Sequence, residues 1–375
     1  MCSTEKTQIQ ELQRTQLGLP LDIGHIRTKT YGYYRKTASP LGIGSLSPEI
    51  IEAVFRYSSA NNSELMLISS KNQIDYNGGY VEKWNTKQYL KYIEKMKRKY
   101  PASKVKICRD HCGPNFNGIT DLKDTYRTIK EDIERGFDLI HIDFSNLSND
   151  LEDILSSSKK AIEYCLKINP SILLEIGTEQ NVGMQHKEIF MKEIENQVNY
   201  FCSFCEPTFV VVQTGSLVKE MRQIGSFNSM FISSTAHMLH KKDIKLKEHN
   251  SDYLSAKEIG QRRGVVDAMN ISPQLGTIQM GVVFNKSIIY GINLNDFLNE
   301  VYQGRKWDKW MYSSNYEDRL SSCLMAGYYH FSSGQYKKVI HQLEKVEDIR
   351  EGIMKEITNL ITHYLTNYYG NRILE

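Results

Sequence analysis

The sequence has no apolar run of membrane length, no low-complexity segment and almost no net charge, and each of these absences removes a class of protein. Without about 20 consecutive apolar residues, no membrane-spanning helix is expected. The first fourteen residues include Glu5, Lys6, Gln8, Gln10 and Glu11 and lack the apolar heart of a secretory signal, so the expected location is the cytoplasm. The 47 basic and 44 acidic side chains leave a formal charge of +3, which argues against a dedicated nucleic-acid surface. Basic clusters such as Lys95-Met-Lys-Arg-Lys and Lys241-Lys-Asp-Ile-Lys read as solvated faces. The seven cysteines are odd in number and scattered, which excludes a disulfide framework and favours a reducing compartment. Cys202-Ser-Phe-Cys205 has the spacing of a redox or zinc pair but no second pair to complete a site.

What remains is an ordinary globular composition, 40% hydrophobic and 24% charged over 375 residues. That is enough chain for one large barrel with extensions, or for two medium domains. Short apolar runs at 41–46, 65–70, 105–110, 139–145, 172–179, 209–215, 244–252 and 271–278 read as strands. Between them, helical periodicity covers 48–58, opened by Ser47, then 86–99, 120–135, 150–167, 186–204 and 255–270. Eight strands alternating with helices predict a (β/α)8 TIM barrel over 41–280, although a doubly wound open sheet has the same pattern. Residues 1–40 form an amino-terminal extension. From 281 to 375 the pattern is helical, and Tyr364, Tyr368 and Tyr369 are expected to anchor this tail on the barrel or on a second subunit.

In such a barrel the chemistry belongs at the carboxyl ends of the strands. The third run enters Asp110-His111 and breaks at Gly113-Pro114-Asn115, placing a carboxylate and an imidazole at that edge. After the second run come Asn72 and Gln73, rich in donors and acceptors, and a Gly78-Gly79 pair that lets backbone bend closely around a ligand. In the fourth, His141 and Asp143 share one face and Ile140 and Ile142 the other, and periodicity alone does not say which looks inward. In the fifth, Glu175, Gly177 and Glu179 share a face of an apolar run, where carboxylates are costly unless a cation or proton meets them. Gln213 ends the sixth, His249 and Asp252 the seventh, and Gln274 lies in the eighth. His111, Glu179 and His249 make a two-imidazole, one-carboxylate set suited to zinc, manganese, cobalt or nickel.

The segments Ser70-Lys-Asn-Gln73 with Gly78-Gly-Tyr80, Asp110-His-Cys-Gly-Pro-Asn115, Gly136-Phe-Asp-Leu-Ile-His-Ile-Asp-Phe-Ser145, Ile176-Gly-Thr-Glu179 and His249-Asn-Ser-Asp-Tyr253 resemble, in order, those of the accessory-subunit family of class II tagatose-bisphosphate aldolases. That family also includes metal-dependent ketose 4-epimerases. The resemblance implies a TIM barrel in which Asp110 is the acid/base, assisted by Glu179, and His111 and His249 hold a divalent metal. Asn72, Gln73, Gly79, Asn115, Asp143, Gln213, Asp252 and Gln274 then face a ketose or ketose phosphate. It implies either retro-aldol chemistry between carbons 3 and 4, giving epimerisation or cleavage, or a non-catalytic partner of an aldolase catalytic subunit. A homo-oligomer is also compatible with it. Two departures stand out: Gln213-Thr-Gly-Ser replaces the family's Gln-Pro-Gly, and the segment from Asn270 to Leu275 lacks the family's Lys.

Overall fold

The computed structural model describes residues 39–177 and 189–370. The amino-terminal extension and the candidate Glu179 lie outside the described residues. Strand and helix alternate: β1 (Leu41–Gly44), α1 (Pro48–Asn61), β2 (Glu64–Ser70), α2 (Thr86–Lys99), β3 (Lys104–Cys112), α3 (Leu122–Arg135), β4 (Leu139–Asp143), α4 (Leu151–Ile168), β5 (Leu173–Gly177), α5 (Ile189–Cys202) and β6 (Phe209–Val211). A small hairpin, β7 (Val218–Lys219) and β8 (Arg222–Gln223), precedes α6 (Ser229–His240), β9 (Lys245–Glu248), α7 (Ala256–Arg262), β10 (Ala268–Ile271) and α8 (Pro273–Ile289). The chain then becomes helical: α9 (Asn295–Gln303), α10 (Arg319–Ala326), α11 (Gly334–Leu343) and α12 (Ile349–Tyr369).

Eight of the strands close into a parallel barrel in the order β1, β10, β9, β6, β5, β4, β3, β2, which is the TIM barrel expected from the alternation. Local chemistry sets the helix ends. Ser47 accepts the amide of Ile50 at 3.2 Å, with Pro48 in the first turn of α1. Asn85 and Gln88 form a capping box on α2, and α3 stops at Gly136, whose φ of 99° favours glycine. The outward faces of the strands carry fully buried Ile43, Leu67, Ile107 and Ile140, packed under the helices. One outward charge is buried with them: Arg109 makes a bidentate pair with Asp132 of α3, at 2.6 and 2.9 Å. Its remaining nitrogen, Nη1, donates to the carbonyls of both Ser69 and Ile74, so no charge is left unmet.

The last third of the barrel differs from the sequence expectation. The eighth strand is Ala268–Ile271, not 271–278; that stretch begins α8, because Pro273 supplies a fixed φ suited to a first helical turn and no amide for a ladder. The helix expected over 255–270 ends at Arg262, and the last three residues of that span belong to the strand Ala268–Ile271. Helix α6 and the β7–β8 hairpin were not expected. The apolar stripe of α6, Phe231, Ile232, Ala236 and Leu239, is diluted by Ser229, Ser233, Ser234 and Thr235, residues that also favour turns.

Helix α12 packs against α1, α7 and α8. Tyr364 donates its hydroxyl to the carbonyl of Ser251 at 2.6 Å and accepts the amide of Leu254, and Tyr368 donates to the carbonyl of Val266 at 2.8 Å. Both rings are buried, so the tail is fastened to the barrel's own loops. Nearby, Asp252 Oδ1 accepts the amides of Ser272 and Gln274, each at 2.9 Å, and so caps α8 from another loop.

Two outcomes are expected. Tyr364→Phe leaves one buried carbonyl and one buried amide without partners, a cost of about 1–3 kcal/mol, which should lower the urea midpoint without changing the m-value. Burial pushes the Asp252 carboxyl up to about 7 against the pull of the two capping amides. An unfolded carboxyl ionises near 3.9, so stability from this group is complete below about pH 4 and is lost as pH rises to about 7. Asp252→Asn keeps the acceptor and loses the titration. Denaturant titrations from pH 4 to 8 should therefore show the variant gaining on the wild type by a few kcal/mol, with no further change above about pH 7.

Candidate metal and catalytic site

Strict alternation along β3 would send Asp110 and His111 to opposite faces. Instead the β3–β4 pairing shifts register between Arg109 and Cys112, and His111 adopts φ of 46°, a left-handed conformation rare outside glycine. The two consecutive side chains thereby join one cluster. Downstream, the backbone at Gly113 lies so close to the Asp143 carbonyl that a Cβ would stand 1.6 Å from it, which only glycine tolerates. Buried Lys71 holds the loop from below, bonding Asp124 at 2.5 Å and the Gly113 carbonyl at 3.4 Å.

The question of which face of β4 looks inward is settled in favour of His141 and Asp143. His141 stands level with Glu175 on β5, and Asp143 with Gly177. A Cβ on Gly177 would be 2.7 Å from His141 Nε2, so the glycine makes room for the imidazole. Asp110, His111, His141 and His249 place one ligand atom each within 4.8 Å of one another. The Asp110 carboxylate is their hub: His141 Nδ1 is 3.4 Å from Oδ1, His249 Nε2 is 3.8 Å from Oδ1, and His111 Nε2 is 3.8 Å from Oδ2.

A second rank of charges orients these rings. Asp143 Oδ2 bonds His111 Nδ1 at 2.7 Å and its other oxygen accepts the Ser145 amide. Glu175 lies 2.9 Å from His249 Nε2 and 2.5 Å from Lys247 Nζ, with all three largely or fully buried. Burial alone would raise the Asp110 carboxyl, but His111, His249 and His141 outweigh it and hold it well below the usual carboxylate range. Burial likewise opposes charge on His111, yet Asp110 and Asp143 lift it to about 9. Burial is also outweighed at Glu175, which Lys247, His141 and His249 bring down to about 2. At His249 burial prevails, and its pKa lies below the ordinary value. The site is thus an acidic cup with three imidazoles on its rim.

The donors suit a divalent metal. With bonds of 2.0–2.1 Å, tetrahedral zinc sets its donors about 3.4 Å apart, close to the spacing around Asp110. His141 Nδ1 accepts the His111 amide at 3.2 Å and lies 3.4 and 3.6 Å from Asp110 and Glu175, carboxylates that would offset the charge of a cation, while its Nε2, beside Gly177, is buried without a hydrogen-bond partner, although a buried polar atom ordinarily has one. Binding would replace protons now held on the ring nitrogens. Beside the cluster opens a cavity of about 240 Å³, just under the ~300 Å³ at the lower end of ligand pockets. Its wall includes His111, Phe116, Asp143, Gln213 and His249.

Gln213 lines this cavity, and its Oε1 is buried without a partner. The remaining candidates have structural tasks in this conformation. Gln73 accepts the Ser70 amide at 2.6 Å, and Asn72 donates to the Phe116 carbonyl. Gly79 sits where a Cβ would be 2.1 Å from the Gln73 carbonyl. Asn115 forms a left-handed turn, its amide bonded to Ile119 O at 2.7 Å. Gln274 accepts the amide of Tyr253 at 2.7 Å. Sequence reasoning left the direction of His141 open, read Glu175 beside Glu179 as a metal or acid/base carboxylate but chose only Glu179 for the site, and passed over Lys247. The available signals were the shared face of Glu175 with Gly177, and the two-residue step from Lys247 to His249.

The family described as D-tagatose-1,6-bisphosphate aldolase subunit GatZ/KbaZ-like matches residues 32–164, a span that contains Asp110, His111, His141 and Asp143. Three solved structures share the fold. A probable tagatose 6 phosphate kinase from Sinorhizobium meliloti aligns with a TM-score of 0.74 at 15% identity, over 88% of this chain and 100% of its own. The fructose-bisphosphate aldolase of Campylobacter jejuni gives 0.57 at 14%, over 91% and 94%. The YdjI aldolase from Escherichia coli K12 gives 0.50 at 11%, over 87% and 99%. At such identities the likeness speaks for the barrel alone.

Proposed function

We propose that this chain, a relative of the tagatose-bisphosphate aldolase subunits, is a metal-dependent enzyme that opens the bond between carbons 3 and 4 of a ketose or ketose phosphate. The observation that carries this reading is the convergence of three imidazoles on one ionised carboxylate beside a cavity at the carboxyl end of the barrel. A divalent ion held by His111, His141 and His249 would supply Lewis acidity toward the ketose carbonyl.

The chain's own groups divide the remaining work. Asp110, strongly acidic and therefore ionised at neutral pH, takes the proton of the carbon 4 hydroxyl as the carbon–carbon bond breaks and its electron pair passes toward the carbonyl. It returns the proton when the bond re-forms. If the aldehyde fragment turns before re-adding, the product is an epimer; if it leaves, the proton held by Asp110 passes to carbon 3 of the remaining fragment and the reaction is cleavage. Asp143 bonds His111 through Nδ1 and leaves its Nε2 toward Asp110, whereas Glu175 bonds the same His249 Nε2 that faces Asp110, so a cation there would take the place of the proton between them. Gln213 Oε1 accepts a substrate hydroxyl, and Phe116, stacked on His111 with ring centroids 4.8 Å apart, shields one wall from water.

Two measurements test this. His141→Ala should lower the metal content of the purified protein well below one ion per chain, since losing one of three ligands weakens binding severely; full occupancy in that variant would remove His141 from the ligand set. Asp110→Asn should keep its metal yet lose about 10²–10⁴-fold in turnover of ketose phosphates. An unchanged rate would pass the base role to another carboxylate, Glu179. A second reading is favoured by the description of the matching family as an aldolase subunit. On that reading the wild type turns over no ketose phosphate, but raises the activity of a separate aldolase catalytic subunit when the two are mixed.

A further inference from the structure

The loop after β3 flanks the imidazole cluster and is held from the loop after β2. Its Phe116 ring lies on His111 with the two planes 21° apart. On the inner side, Lys71 donates to the Gly113 carbonyl at 3.4 Å, and Asn117 donates to Asp75 and Asp124, each at 3.1 Å. Lys71, Asp75 and Asp124 are buried, so these anchors are shielded from water. The outer side rests on one side-chain bond, from the Asn72 amide to the Phe116 carbonyl. Asn72 is exposed, and a single hydrogen bond contributes only about 0.5–1.5 kcal/mol net. Its Nδ2 carries two hydrogens. The bond to Phe116 uses one, and the side chain has no other partner among the described residues.

Asn72 also stands on the wall of a second cavity, of about 480 Å³, which shares no lining residue with the first. That volume falls within the ~300–1,000 Å³ typical of ligand sites. The connection from α9 to α10 contributes Arg305, Lys306, Asp308 and Lys309 to it. Arg305 engages Asp308 at 3.0 Å, whereas Lys306 and Lys309 have no acidic partner within ion-pair distance among the described residues. Lys309 lies over the rings of Trp310 and Tyr329, 4.7 and 5.6 Å from their centroids, which orients the ammonium without neutralising it. The backbone beneath is fixed: Lys219 donates to the carbonyl of Lys309 at 2.6 Å, and the Glu220 amide to the carbonyl of Trp310 at 2.9 Å. Two uncancelled ammonium groups and one unspent amide hydrogen therefore border the same space, and all of them are donors.

We propose that the second cavity is an effector site, in which a small dianion bridges Lys306 and Lys309 to Asn72 and so locks the Phe116 loop against His111. An oxyanion accepts several N–H donors at once, and charge-assisted bonds are roughly twice as strong as neutral ones. With Asn72 held between the anion and the Phe116 carbonyl, the one exposed anchor of the loop gains a second hold. The signal passes through a bond already formed, from Asn72 to the backbone of the residue that stacks on His111, and the anion touches no member of the cluster. By linkage, whatever holds the loop closed also tightens the anion. The proposal is independent of the reaction assigned to the cluster, since it requires neither metal nor turnover.

Hydrogen–deuterium exchange on the full-length protein tests this by reading two segments, 305–310 on the cavity wall and 113–119 in the loop. Sodium sulfate and sodium succinate are titrated to saturation, against sodium chloride at matched ionic strength, into the wild type, Lys306→Glu/Lys309→Glu and Asn72→Ala. All three replaced side chains are exposed, so the fold should tolerate each change. In the wild type a dianion should slow exchange saturably in both segments, by about fivefold or more at 113–119, the lower end of ordinary coupling between sites. The lysine variant should lose both effects. Asn72→Ala should keep the protection at 305–310 and lose it at 113–119, a separation that general stabilisation by salt does not produce. Stronger protection by sulfate assigns the site to a tetrahedral oxyanion, and stronger protection by succinate to a dicarboxylate. Protection no greater than chloride gives, equal protection in the lysine variant, or protection at 113–119 that survives Asn72→Ala would each overturn the proposal. Failure of the protein to turn over a ketose phosphate would reject the enzyme reading and leave these outcomes as they stand.

Discussion

One backbone conformation, the left-handed turn at His111, sets the geometry of the whole site. A strand cannot present two neighbouring side chains to the same interior, yet here a carboxylate and an imidazole must both face inward. The register shift in β3 resolves the conflict, and the surrounding structure stabilises a conformation that costs on the order of 1–3 kcal/mol. Arg109, just before the turn, is anchored outward by Asp132 and two carbonyls. Gly113, just after it, lies flush on the Asp143 backbone, and Lys71 closes the arrangement beneath. The strain is thus held between a buried ion pair on one side and a backbone contact on the other.

The charges inside the barrel follow from that constraint. With Asp110 drawn inward, its carboxylate is surrounded by His111, His141 and His249. Asp143 and Glu175 then prevent the imidazoles from rotating away. Lys247 offsets the Glu175 charge from the deeper layer, so the acidic excess is concentrated at the carboxyl end of the barrel. Each group is positioned by one neighbour and positions another, which makes the cluster a single unit rather than a set of separable contacts.

Much of this was legible in the chain. The alternation of apolar runs and helical stripes places seven of the eight barrel strands, and the caps at Ser47 and Asn85 were readable because capping depends on neighbours in sequence. The eighth strand was misplaced because 271–278 is apolar enough for a strand, and the weight of Pro273 as a helix opener was not given its due. Asp110, His111 and His249 were identifiable from their positions at strand ends. The inward turn of His141 was not, since a two-residue period distinguishes faces without naming them; it depends on the pairing with β5 and on the space left by Gly177. Nor could sequence spacing show that Asp252 and Gln274, chosen as substrate contacts, meet each other at the start of α8.

The connection from α9 to α10 is fastened to the hairpin that follows β6, where Lys219 donates to the carbonyl of Lys309 at 2.6 Å, and Lys309 reaches over the ring of Tyr329, which packs edge-on to Tyr80 beyond β2. Strands β2 and β6 stand opposite each other in the ring of eight. Loops that follow opposite strands are therefore joined through a single stretch of chain, so a displacement on one side of the barrel mouth is carried to the other.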